Sequence, residues 1–134
     1  MSVLIFGVFD MLHPGHVYFI NEAKKQGNNL HICLATDEYV KEFKNKNPIN
    51  NFEKRKETIL KMFPDIFIHT GDKTNGDWSI FKNLKPKIIA LGYDQVDLHN
   101  AILSSNLDLK DTKIIFIEPY LSDIYNTTRL QKLN

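Results

Sequence analysis

Two histidines stand three residues apart around a Pro-Gly pair, in the run Gly7-Val8-Phe9-Asp10-Met11-Leu12-His13-Pro14-Gly15-His16. The run follows directly on an apolar stretch that reads as a strand, and Pro14 or Gly15 begins a helix. His13 then precedes that helix and His16 lies in its first turn. Both rings fall at a helix N-terminus, where unpaired N–H groups and the dipole favour an anion. Two imidazoles with backbone donors make a site for phosphate oxygens. The same pair could instead only cap and pack the helix start. His-x-x-His is also a metal-ligand spacing, but neither a thiolate pair nor His-Glu-x-x-His accompanies it. Gly7 removes a side chain where the strand ends, so something can approach the backbone there.

Three later clusters carry polar chemistry. Lys44 and Lys46 lie in a polar loop, followed by Pro48-Ile49 and Glu53-Lys54-Arg55. Alone they read as a solvated loop and helix face. Gly92-Tyr93-Asp94-Gln95 closes an apolar run and reads as a turn, with Gly92 for backbone freedom and Asp94 for a local hydrogen bond. Asn126, Thr127 and Thr128 open a short terminal helix. That start is either a plain N-cap or a second anion site. No activated Ser, Cys or Lys nucleophile is apparent.

Five short β-rich runs must position these residues: 3–6, 30–35, 66–69, 88–91 and 113–117. Apolar runs of this length, bounded by turn residues, suit strands buried on both faces of a parallel sheet. Helical spacing lies between them. Val17, Ile20 and Ala23 share one stripe, with Gly27 as its stop. A helix follows the second strand. Asn51 caps a helix carrying Ile59, Met62 and Phe63. Trp78, Phe81 and Leu84 form a short stripe ended by Pro86, and Leu98, Ile102 and Leu103 form another. The alternation predicts an α/β fold: a Rossmann-like, doubly wound parallel sheet of about five strands, in a single domain over residues 1–134. Ligands in such sheets bind beyond the carboxyl ends of the strands, where strand order reverses. Asp94 then faces the first-loop histidines across a crevice flanked by strands one and four.

Composition sets bounds on function. The 134 residues are 43% hydrophobic and 25% charged, and 17 Lys plus Arg against 16 Asp plus Glu leave +1. A balance so close to zero argues against a nucleic-acid or membrane-surface binder. One cysteine, Cys33, excludes an internal disulfide and a multi-thiolate zinc site. No apolar run approaches the roughly 18 residues of a membrane span. The expected compartment is the cytoplasm.

The run from Gly7 to His16 resembles the G-x-F-D-x-x-H-x-G-H signature of the cytidylyltransferase-like nucleotidyltransferases. That family includes glycerol-3-phosphate cytidylyltransferases and archaeal FAD synthases, and later segments match in order over nearly the whole chain. The resemblance implies transfer of a nucleoside monophosphate from a nucleoside triphosphate to a phosphorylated small molecule, with release of pyrophosphate. It assigns Gly7, Val8, Phe9, Asp10 and Gly15 to the nucleotide, and His13, His16 and Lys46 to catalysis. Lys44 and Arg55 go to the acceptor phosphate. Gly92 and Asp94 go to the base and ribose side, and Asn126, Thr127, Thr128 and Arg129 to the nucleotide. In the cytidylyltransferases the last stretch is R-T-E-G-I-S-T-T; here Leu121 stands for its arginine, which Arg129 would have to replace.

The acceptor's own phosphate oxygen attacks the α-phosphorus in such a reaction, so the enzyme's task is positioning and charge stabilisation. A divalent cation, Mg²⁺, is expected with the nucleotide, with few or no protein ligands beyond Asp10 or Asp94. Compact length and the Thr127-Thr128 pair point to CTP and an alcohol phosphate such as glycerol 3-phosphate. Gly-Tyr-Asp-Gln is most similar to the archaeal FAD synthases, which makes ATP with FMN the alternative. A nucleotide-binding module without turnover is a third reading, on the strength of Leu121. The resemblance also implies a homodimer, with the stretch Lys61-Met62-Phe63-Pro64-Asp65 as a candidate contact.

Overall fold

The computed structural model describes residues 1–73 and 77–119. Its elements alternate: β1 (Ser2–Gly7), α1 (Pro14–Lys24), β2 (Asn29–Leu34), α2 (Asp37–Phe43), α3 (Phe52–Met62), β3 (Phe67–Thr70), α4 (Ile80–Asn83), β4 (Ile88–Gly92), α5 (Val96–Leu103) and β5 (Lys113–Ile117). The five strands form one sheet in the order β3-β2-β1-β4-β5. Every pairing is parallel. The order reverses between β1 and β4, and the carboxyl ends of these two strands define the switch point.

The central strands β1 and β4 form because their side chains are apolar on both sides. Val3, Leu4 and Ile5 are fully buried, as are Ile89, Ala90 and Leu91. Each such Val, Leu or Ile side chain gains about 1.5–3 kcal/mol from leaving water. On one face Val3, Ile5, Ile32 and Ala90 pack against Ile20 and Ala23 of α1 and Ile59 of α3. On the other, Ile89 and Leu91 pack against Ile102, Leu98 and Phe81. Helices on both faces make the sheet doubly wound, as expected.

Three local expectations are corrected. The α1 stripe ends at Lys24, capped by Lys25, and not at Gly27. Gly27 serves close packing: a Cβ there would lie 2.7 Å from the Met1 carbonyl oxygen. The third strand is displaced by one residue, because Ile66 turns into the core before pairing begins. Trp78 lies outside α4, at φ 49°, so the apolar stripe from Trp78 to Leu84 is only partly helical. Among the described residues no helix is long and apolar enough to cross a membrane.

Candidate active site at the carboxyl ends of the strands

The loop leaving β1 is wound tightly. Phe9 and Met11 both have positive φ, 50° and 54°, a conformation that costs a non-glycine residue about 1–3 kcal/mol. That bend turns the Phe9 ring under its own loop, where it is buried, edge-on to His16 at 5.4 Å and stacked on Phe19 at 6.4 Å. A Cβ on Gly7 would lie 2.5 Å from that ring. The space expected at Gly7 for a ligand is thus filled by Phe9.

His13 is the N-cap of α1. Its Nδ1 accepts from the Gly15 N–H at 3.0 Å, and its own N–H donates to His16 Nδ1 at 3.4 Å. The two rings stack with centroids 3.7 Å apart. Capping therefore occurs, and it has a chemical consequence. With Nδ1 accepting on both rings, a neutral imidazole carries its proton on Nε2. Each ring is thereby fixed as an Nε2–H donor beside a helix N-terminus.

The lysine loop is anchored from β1. The Asp10 carboxylate accepts from Ile49 N–H at 2.6 Å, Asn50 N–H at 3.0 Å and Asn50 Nδ2 at 3.2 Å. Partial desolvation pushes its pKa up, but the Ile49 and Asn50 hydrogen bonds and the Arg55 charge outweigh that and hold it below the ordinary value. Asn45, between Lys44 and Lys46, has φ 55°.

Arg55 requires a correction. Expected at the acceptor phosphate, it is 1% exposed and occupied within the protein. Nε donates to the Asn50 carbonyl at 3.0 Å. Nη1 donates to the Val8 and Ala35 carbonyls at 3.0 and 2.8 Å, and Nη2 pairs with Asp37 Oδ1 at 2.7 Å. Asp37 Oδ2 accepts from Phe52 N–H at 3.2 Å. Arg55 ties the β1 loop, the β2 loop and the lysine loop to α3, which makes it a positioning residue.

Across the switch point, where Asp94 lines the cavity, the local hydrogen bond expected of it is made by Gln95. Its Oε1 accepts from the Gly92 N–H at 2.9 Å and its Nε2 donates to the Phe6 carbonyl at 3.1 Å. The amide locks the end of β4 to the end of β1. Its place in the Gly-Tyr-Asp-Gln turn was the available signal. Asp37, which belongs to the Arg55 network, sits 18 residues away in sequence and gave none.

A cavity of about 900 Å³ opens over the strand ends. It brings together Gly7, Val8, Phe9, Asp10, His13, Gly15 and His16 with Lys44, Lys46, Gly92 and Asp94. Tyr18, Phe19, Tyr39, Trp78 and Tyr93 also line it. Cys33 lines it, but burial first, and the Asp72 charge second, push its thiol up to about 11. A neutral thiol is no nucleophile at ordinary pH. Among the described residues no three His, Cys, Asp or Glu groups gather as a metal site. Leu121, Asn126, Thr127, Thr128 and Arg129 lie outside the described residues.

A parallel sheet that gathers two imidazole donors, two lysines and a helix N-terminus at its switch point, with no activated nucleophile among the described residues, defines a phosphate-handling α/β enzyme. The chain belongs to the cytidylyltransferase-like family, whose family model matches residues 4–130, and is a nucleotidyltransferase. It is 35% identical to the FAD synthase of Thermococcus sibiricus, over 97% of this chain and 89% of that one. It is 33% identical to the FAD synthase of Picrophilus torridus, over 98% and 94%. Among solved structures, the lipopolysaccharide core biosynthesis protein of Thermoplasma volcanium is similar with a TM-score of 0.74 and 30% identity, over 90% of this chain and 98% of that one. A bifunctional NMN adenylyltransferase/ADP ribose pyrophosphatase of Francisella tularensis shares the fold, at 19% identity and a TM-score of 0.61, over 89% of this chain and 38% of that one.

Proposed function

We propose that this nucleotidyltransferase is an FMN adenylyltransferase: it transfers AMP from ATP to FMN, giving FAD and pyrophosphate. Its near end-to-end similarity to archaeal FAD synthases carries the proposal. The cavity supports it. Ligand pockets typically span about 300–1,000 Å³, so about 900 Å³ has room for a nucleoside triphosphate with the acceptor's phosphate beside it. Its aromatic walls suit a planar acceptor, whereas glycerol 3-phosphate has no ring to place on them.

An oxygen of the FMN phosphate attacks the α-phosphorus of ATP. A new P–O bond forms there while the bond to the β-phosphate oxygen breaks, and the electron pair leaves with pyrophosphate. No protein nucleophile takes part. The Nε2–H groups of His13 and His16, at the positive end of the α1 dipole, donate to oxygens that gain charge during transfer. Lys46, with Lys44 beside it, offsets the repulsion between the two phosphate groups. Mg²⁺ is proposed to enter with ATP and neutralise part of the triphosphate charge. The described carboxylates form no cage for it, and Asp10 is committed to its loop.

Pyrophosphate release over ATP and CTP, each with FMN or glycerol 3-phosphate, tests the proposal. The expected result is turnover with ATP plus FMN at least about tenfold above every other pair, the discrimination that one pocket difference supplies. Turnover with CTP and glycerol 3-phosphate instead would restore the pairing expected from the compact chain and Thr127-Thr128. Nucleotide binding without turnover on any pair would favour the binding module.

A further inference from the structure

A second lobe of about 750 Å³ adjoins the active-site cavity, and both are bordered by Tyr39, Lys44, Trp78, Asp97 and Leu98. Its two rings follow β2 and β3 in the chain, while Asp97, Leu98, Ala101 and residues 104–107 bring α5 and the turn after it to the other wall. Tyr39 lies on α2, whose N-cap Thr36 accepts from the Tyr39 N–H at 3.0 Å, and its ring packs on Phe43 at 4.8 Å. Trp78 follows β3, and its indole meets Phe6 and Phe81 edge-on at 6.3 and 6.1 Å. Leu98 of α5 adds an aliphatic wall.

Trp78 sits at φ 49°. A bulky residue there is a backbone outlier, and such outliers persist where a side chain's position matters more than local comfort. Two fixed rings and a leucine offer stacking and apolar contact to a flat heteroaromatic system. Lys44 stands where the lobe meets the phosphate-handling cavity. A ligand with a ring at one end and a phosphate at the other fits that sequence of surfaces. The loop after β4 lines the first cavity through Tyr93, Asp94 and Gln95 and does not border the lobe, which leaves it for the nucleotide base.

We propose that this lobe is the acceptor-ring subsite, and that Tyr39, Trp78 and Leu98 hold the isoalloxazine of FMN while its phosphate reaches past Lys44 to the histidines. The assignment rests on the FMN adenylyltransferase reading and adds where the flavin binds and what selects it. Trp78→Leu removes the stacking surface, Trp78→Phe retains an aromatic ring, and Leu98→Trp fills the lobe.

Flavin emission during titration and steady-state kinetics on each purified variant, with folding checked by circular dichroism, test it. Stacking on a ring is worth enough to shift affinity by about tenfold. In the wild type, FMN and riboflavin emission should both be quenched on binding. Trp78→Leu and Leu98→Trp should raise the KM for FMN about tenfold, leave the KM for ATP within about twofold, and abolish riboflavin quenching; Trp78→Phe should stay near wild type. If the wild type makes FAD while both disruptive variants keep the FMN KM and the quenching, the flavin lies elsewhere and only the subsite assignment falls. A shift confined to the ATP KM would place the adenine in the lobe and overturn it likewise. A wild-type chain that makes no FAD overturns both the subsite and the function on which it rests.

Discussion

His13 and His16 show how a structural role can set up a chemical one. Their Nδ1 atoms close the N-terminus of α1, and that bonding fixes the proton of each neutral ring on Nε2. Replacing His16 with Ala removes one donor and one cap acceptor together. Losing a preorganised donor costs about 10²–10³ in rate, whereas losing a cap costs about 1 kcal/mol of stability. His16→Ala should therefore lower kcat for pyrophosphate release about 10²–10³-fold in a protein that still unfolds cooperatively. A variant that releases pyrophosphate at the wild-type rate would remove His16 from the chemistry. The histidine pair was legible in sequence because its parts are contiguous. The burial of Arg55 was not, because it depends on the Val8 and Ala35 carbonyls, 47 and 20 residues away.

At the scale of elements, the central strands β1 and β4 were readable because their residues are apolar on both faces and need no knowledge of partners. Trp78 was not, since a tryptophan at helical spacing from Phe81 carries no sign of positive φ. The β2–β3 edge holds another feature that only register reveals. His31 on β2 and His69 on β3 meet at 2.8 Å between Nδ1 and Nε2. Burial holds both below the ordinary imidazole value, and His69 adds to the effect on His31. Depressed folded-state values mean that the unfolded chain binds protons which the folded chain refuses. Stability from this pair is complete above about pH 6.5 and declines as pH falls through the folded-state values. Urea midpoints measured from about pH 7 to pH 5 should fall more steeply for the wild type than for His69→Gln. Parallel slopes would show that the pair does not titrate with folding.

For the whole molecule, the parallel doubly wound sheet follows from alternation along the chain, and the place of its cavity follows from the observed order β3-β2-β1-β4-β5, which reverses between β1 and β4. The choice of acceptor did not, because it depends on how α2, α5 and the segment around Trp78 converge. The homodimer expected at the end of α3 also remains a proposal, with changed chemistry. Phe63 is only 6% exposed and belongs to this chain's core, and Asp65 pairs with Lys24 at 3.2 Å. Met62 and Phe67, 53% and 51% exposed, are the apolar groups a second copy would cover. Sedimentation at micromolar concentration should give a dimer that Met62→Lys dissociates, and a 15.6 kDa species for the unaltered chain would remove the proposal. The central claim is adenylyl transfer to FMN at the switch-point cavity, and the fate of the α-phosphate tests it most directly. With FMN and ATP labelled at the α-phosphorus, the label should appear in FAD and not in pyrophosphate, and the yield should collapse in His16→Ala. Label recovered only in unreacted ATP or free AMP, with no FAD formed, would contradict the account.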